Sequence, residues 1–143
     1  MPPRWRQESV DCEGALSELR LRLAGDVMTG RGMDQLLPHP VDPQLYEPVA
    51  PAYPWGEALA AMEAMAADVR IINLATAITT AARPWPQKDI HDRMHPHNIS
   101  CLTAAKLDLR CLANNHSLDW GWRGRAQCRS GPTSAGLRVG RGE

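Results

Sequence analysis

No stretch of this sequence approaches the roughly 20 consecutive apolar residues that a membrane-spanning helix requires, so no transmembrane segment is expected. The first 18 residues, MPPRWRQESVDCEGALSE, lack the apolar run of a signal peptide, and the expected location is cytoplasmic. Net charge is missing as well. Sixteen Lys and Arg balance 16 Asp and Glu, which argues against a nucleic-acid partner held by bulk electrostatics. The four cysteines, Cys12, Cys101, Cys111 and Cys128, form no CxxC pair, so a zinc knuckle is not expected. Cys101 and Cys111 sit in apolar company and read as small core residues of a protein in a reducing compartment.

What remains is an ordinary globular composition, 43% apolar and 22% charged over 143 residues, enough for one domain. The charge is unevenly spread. Residues 123–143 hold five Arg and one Glu, so the preceding 122 residues are acidic on balance. Such asymmetry suggests a tail that differs from the body in origin or role.

Residues 1–18 are polar and without periodicity and read as a flexible arm. In residues 19–24, Leu19, Leu21 and Leu23 alternate with Arg20 and Arg22, the period-two pattern of a strand with one apolar face. Gly25-Asp26 opens a glycine-rich loop, followed by a short helix at 33–37. Six prolines between 38 and 54 exclude helix and central strand, leaving an extended surface loop. Residues 55–67 suit a helix with Leu59, Met62 and Met65 on one stripe. Residues 69–75 read as a buried strand. The stretch 76–97 is irregular, Asn98 can cap a helix over 99–106, and 107–113 form a third strand. Alternating strands and helices predict α/β architecture with a mostly parallel sheet. Beyond 122 the periodicity stops. Residues 123–143 read as a disordered or aberrant Arg/Gly-rich tail, such as a shifted reading frame would leave.

Polar residues collect near the carboxyl ends of the expected strands, the edge where open α/β sheets bind ligands. Asp26 offers a carboxylate, Asn115 an amide oxygen and His116 an imidazole. A set of O and N donors without thiolate suits Mn, Zn, Fe or Mg, and paired ions of that kind activate water and clamp phosphoryl groups. The same Asp-Gly and Asn-His pairs also occur as plain turn chemistry.

Gly25-Asp26-Val27-Met28 with Gly30-Arg31-Gly32, Asn73-Leu74-Ala75-Thr76, Ile90 to Pro96 with Arg93-Met94-His95-Pro96, and Ala113-Asn114-Asn115-His116 with Asp119 and Gly121 stand in a definite order over residues 19–122. Together they resemble the motifs of the bacterial CapA-type family of capsule and poly-gamma-glutamate synthesis proteins. That family is similar in fold to calcineurin-like metallophosphoesterases, helix-flanked β-sandwiches with metals at loop ends. The resemblance implies Asp26, Asn115 and His116 as metal ligands, with His116 also catalytic and close to the scissile group. It implies Arg93 and His95 in an anion pocket, and an anionic polymer or phosphorylated substrate. Ala75 stands where the family has a glutamate, and a methyl group cannot coordinate a cation, so a weakened metal site is expected. The family chain is typically about twice this length. A truncated member, catalytically incompetent alone and prone to self-association through an exposed sheet edge, is the resulting expectation. The alternative is a non-catalytic binding or scaffold module with a decayed metal site.

Overall fold

The computed structural model describes residues 18–132 and 136–140. The expected N-terminal arm up to residue 17, with Cys12, lies outside the described residues. Among the described residues six strands and four α-helices follow in the order β1 (Leu21–Val27), α1 (Gly32–Leu36), α2 (Ala58–Ala64), β2 (Val69–Leu74), β3 (Ala77–Ile78), β4 (Arg93–Met94), α3 (Ser100–Ala104), β5 (Leu109–Cys111), α4 (Gly121–Ser130) and β6 (Arg138–Val139). Short 3-10 turns cover Tyr53–Trp55 and Pro96–Ile99. The main sheet has the order β1-β2-β5-β6, every pairing parallel, and β3 pairs with β4 in a small second sheet, also parallel. The α/β class with a parallel sheet is thus what the chain adopts.

The two faces of the main sheet differ. Ile72 and Leu74 of β2 are 2% and 1% exposed and join Leu37, Met62, Ile78, Met94, Leu102 and Leu137 in one core. The opposite face carries Leu21 and Leu23, in register with Val69 and Ile71, and Leu109 beside Ile71. Leu19, Leu21 and Leu23 are 66%, 55% and 70% exposed. The apolar stripe read from the alternation exists, but nothing described covers it. Among the described residues no helix is long and apolar enough to cross a membrane.

Register explains where Asp26 points. Ala24 aligns with Ile72 and Asp26 with Asn73, so Gly25 is an unpaired extra residue. A one-residue bulge reverses the alternation beyond it, and Asp26 shares a face with Asn73 instead of with Ile72. Gly30 is required for a different reason. A Cβ there would lie 2.8 Å from the Arg93 carbonyl oxygen and 2.9 Å from its nitrogen, so only glycine lets the loop after β1 touch β4.

Two local expectations need correction. Asn98 does not cap a helix over 99–106. It lies inside the 3-10 turn, where its amide donates to Asp34 Oδ1 (3.0 Å) and to the His39 carbonyl (2.9 Å). The His95 side chain, which accepts from His97 N at 3.1 Å, caps that 3-10 turn, whereas α3 spans only Ser100–Ala104 and has no side-chain cap. The proline-rich loop and the histidine segment are therefore cross-tied by buried Asp34 and Asn98, a long-range pairing without local signature.

Past residue 122, where periodicity offers no element, the chain forms α4 and β6. Helix α4 buries only Gly124 and Cys128, small residues that leave no apolar stripe to read. A cation fastens this end. Arg110, fully buried, donates through Nη1 to the Leu137 carbonyl (2.7 Å) and through Nη2 to those of Cys128 (3.0 Å) and Arg129 (3.3 Å). A guanidinium at the carboxyl end of a helix satisfies carbonyls that the helix cannot.

Candidate metal centre

The loop after β5 turns three times in succession. Backbone N–H groups of Ser117, Asp119 and Gly121 donate to the carbonyls of Asn114 (3.4 Å), His116 (3.2 Å) and Leu118 (2.9 Å), and Gly121 takes a φ of +66° to begin α4. This winding places His116 and Asp119 on one side. His116 Nδ1 lies 2.7 Å from Asp119 Oδ2 and 3.5 Å from Asp92 Oδ2. Asp92 arrives from the segment before β4, held by its own N–H, which donates to Asp119 Oδ2 at 2.6 Å. The ligand atoms of Asp92, His116 and Asp119 all lie within 4.8 Å of one another.

Both carboxylates are buried, Asp92 at 3% and Asp119 at 0% exposure, an expensive arrangement unless charge and hydrogen bonds compensate. Asp119 is fully compensated. Its Oδ1 accepts from Lys88 Nζ, its Oδ2 from His116 and Asp92 N. Asp92 is not. Its Oδ1 has no hydrogen-bond partner, and Arg31 Nε approaches only to 3.6 Å from a half-exposed side chain. An orphaned buried carboxylate oxygen beside a second carboxylate and an imidazole fits a divalent cation of the Mn, Zn, Fe or Mg group. Because an ionised carboxylate only accepts, His116 Nδ1 is the donor to Asp119 Oδ2 in this arrangement.

The residues expected at the site are distributed differently. Asp26 is exposed, and its Oδ1 accepts from Asn73 Nδ2 at 2.5 Å; Asn73 Oδ1 accepts from Asn114 Nδ2 at 2.9 Å; Asn114 Oδ1 accepts from His116 N at 3.0 Å. Asp26 and His116 thus share one rim, joined by a chain of amides. Asn114, not Asn115, is the link. Asn115 is exposed and lines a cleft with Arg125 and Arg129, and it reaches the charged cluster only through its carbonyl, which accepts from Lys88 Nζ at 2.5 Å. Arg93 is engaged elsewhere. Its guanidinium lies 3.9 Å from the Trp120 ring centroid and donates to Asp42 Oδ1 (2.6 Å) and to the Ala81 carbonyl (3.0 Å). The His95 ring packs edge-on against His97, centroids 4.8 Å apart. Burial, with the neighbouring His97, pushes its pKa below the usual histidine value, against the pull of Asp34. Ala75 is buried at 4%. Among the described residues Cys101, Cys111 and Cys128 are free: burial raises Cys101 to about 11 and pushes Cys128 up as well, which leaves these two as unreactive thiols.

Asp119 stands in the motif after β5 and Asp92 within the Ile90 to Pro96 segment, but neither they nor Lys88 are marked as site residues by the sequence. The spacing of His116 and Asp119, three apart, is a usable signal, since such residues meet on one side of a helical turn. Asp92 and Lys88 carry no spacing signal; pairing of β3 with β4 delivers them.

The model of a family described as bacterial capsule synthesis protein PGA_cap matches residues 20–141. Two proteins of Mycobacterium tuberculosis, from strains CDC 1551 / Oshkosh and ATCC 25618 / H37Rv, each bear the name "Probable polyglutamine synthesis accessory protein". Each is 42% identical to this chain over 143 aligned positions, covering 84% of the chain and 38% of the relative. The chain therefore spans well under half the length of these curated relatives.

Proposed function

Because this chain belongs to the bacterial capsule synthesis protein PGA_cap family, we propose that it serves capsule or polyglutamate synthesis as an accessory domain built around a metallophosphatase-like cation site. The supporting observation is the convergence of Asp92, His116 and Asp119 within 4.8 Å. These three would hold the first divalent ion. Asp26, exposed at the far end of the amide chain, takes the outer and weaker position, with Asn115 beside the inner one through its carbonyl. A bound ion polarises a phosphoryl oxygen and acidifies water. His116, held through Nδ1 by Asp119, would present its other ring nitrogen to the ion. Arg93 and His95 meet an anionic polymer or phosphorylated substrate only after Arg93 leaves Asp42; its role is to hold the Trp120 wall in place.

By itself the chain turns over no phosphoester, because an outer ion would have Asp26 as its one carboxylate and position 75 offers only a methyl. Hydrolysis of an aryl phosphate with Mn2+ tests this. The expected rate equals that of the Asp119→Asn variant, and metal-dependent turnover abolished by Asp119→Asn overturns it.

A second reading, a non-catalytic binding module, is favoured by one observation: both oxygens of Asp119 already accept from the chain itself. Installing glutamate at the position equivalent to Ala75 in a full-length relative and counting bound metal separates the two. A gain of metal supports a decayed enzyme, no gain a binder. The Leu19, Leu21 and Leu23 face beside the β1 edge, uncovered among the described residues, is the surface through which the chain self-associates, a behaviour that sedimentation over a range of concentrations reads directly.

A further inference from the structure

The candidate cation site already contains a cation. Lys88 Nζ contacts Asp119 Oδ1 and donates to the Asn115 carbonyl oxygen. Its strap crosses the site, with Trp85 N donating to the Asp119 carbonyl oxygen at 2.7 Å. Gln87, next to the lysine, sits at a φ of +59°. We propose that the Lys88 ammonium is a tethered competitor of the metal ion, so that binding of a divalent cation and release of Lys88 from Asp119 are one coupled equilibrium. This inference rests on the metal reading above.

Three observations carry it. Asp119 Oδ1 has no partner except Lys88, while Oδ2 is taken by His116 and Asp92 N; an incoming ion can therefore gain Asp119 most directly at the oxygen Lys88 occupies. The cluster's charge is balanced for one state only. Two buried carboxylates face one close ammonium and, 3.6 Å from Asp92 Oδ1, the half-exposed Arg31. A divalent ion would neutralise both carboxylates, and the ammonium beside it would then be a like charge in a site of low dielectric. Finally, Lys88 has somewhere to go. Its side chain is 24% exposed, and a flexible four-carbon stem returns its charge to water. Coupling of this kind is reciprocal: what the metal does to Lys88, Lys88 does to the metal.

The test uses the 143-residue chain, as parent and as Lys88→Met, titrated calorimetrically with Mn2+ and with Zn2+. The variant is expected to bind at least about tenfold tighter and to melt below the parent in EDTA, with the gap closing in saturating metal. Equal or weaker affinity in Lys88→Met overturns the proposal while leaving the metal reading intact. Absence of binding to both proteins overturns the metal reading itself, and this proposal with it. Should Lys88→Met fail to fold, the parent alone decides. Amine-reactive labelling of Lys88, read by mass spectrometry, is expected to accelerate when Zn2+ is added, and an unchanged or slower rate contradicts the coupling.

Discussion

The two ends of the rim are built on opposite principles. At one end Asp26, Asn73 and Asn114 form a chain, exposed at Asp26 and half-buried beyond it, in which each amide donates to the next oxygen. At the other, Asp92, Asp119 and His116 concentrate charge where water is excluded. The first is satisfied by neutral neighbours and costs little to make or break. The second depends on Lys88 for neutrality and leaves one carboxylate oxygen without a hydrogen bond. On the proposed reading, cation affinity belongs where a buried negative charge is incompletely compensated, not where an exposed carboxylate already has an amide.

That contrast is broken or sharpened by substitution. The largest effect is expected for Asp119→Ala, which strands Lys88 and unseats His116 and Asp92 N. Loss of one partner from a buried charge cluster costs about 3–5 kcal/mol, visible as a lower urea midpoint with unchanged slope. Arg110→Met comes next. It removes donors from three carbonyls at the end of α4 and at Leu137, an expected loss of about 3 kcal/mol that amide exchange should localise to α4 and β6. At the open end the numbers fall. Asn73→Ala is expected to cost about 1 kcal/mol and Asp26→Asn less than about 0.5 kcal/mol. A larger cost at Asp26 than at Asp119 would invert the comparison.

The smallest effect lies outside both ends and is a matter of pH. His95 has its folded pKa depressed by burial first and by His97 second. The unfolded chain therefore binds the proton more readily. Stability is whole above the ordinary histidine value of 6.5 and declines as pH falls below it. His95→Gln should flatten that slope in thermal melts between neutral pH and mild acid.

Parts of this molecule were legible before any coordinates. Leu19, Leu21 and Leu23 announce a strand because alternation is a property of neighbours, and the β-branched run at 69–75 does the same for β2. The motif residues near the ends of β1, β2 and β5 fall on one rim because parallel strands carry their carboxyl ends to the same edge. What stayed hidden is non-local. A bulge at Gly25 decides which face Asp26 joins, and no local pattern marks it. Asn114 rather than Asn115 links the amide chain, a choice made by the rotation of one turn. Asp92 and Lys88 come to Asp119 through strand pairing 27 and 31 residues away in sequence. Helix α4 packs through Gly124 and Cys128, residues too small to mark a stripe, and Arg110 tethers it from the centre of the sheet.

The most direct measurement is a metal titration of three proteins side by side: the parent chain, Asp119→Asn and Asp26→Asn. If the buried carboxylate–imidazole cluster is the cation site, Asp119→Asn loses tight binding of Mn2+ or Zn2+ while Asp26→Asn retains most of it. Retention in Asp119→Asn with loss in Asp26→Asn would contradict that assignment and move the metal to the exposed end of the rim.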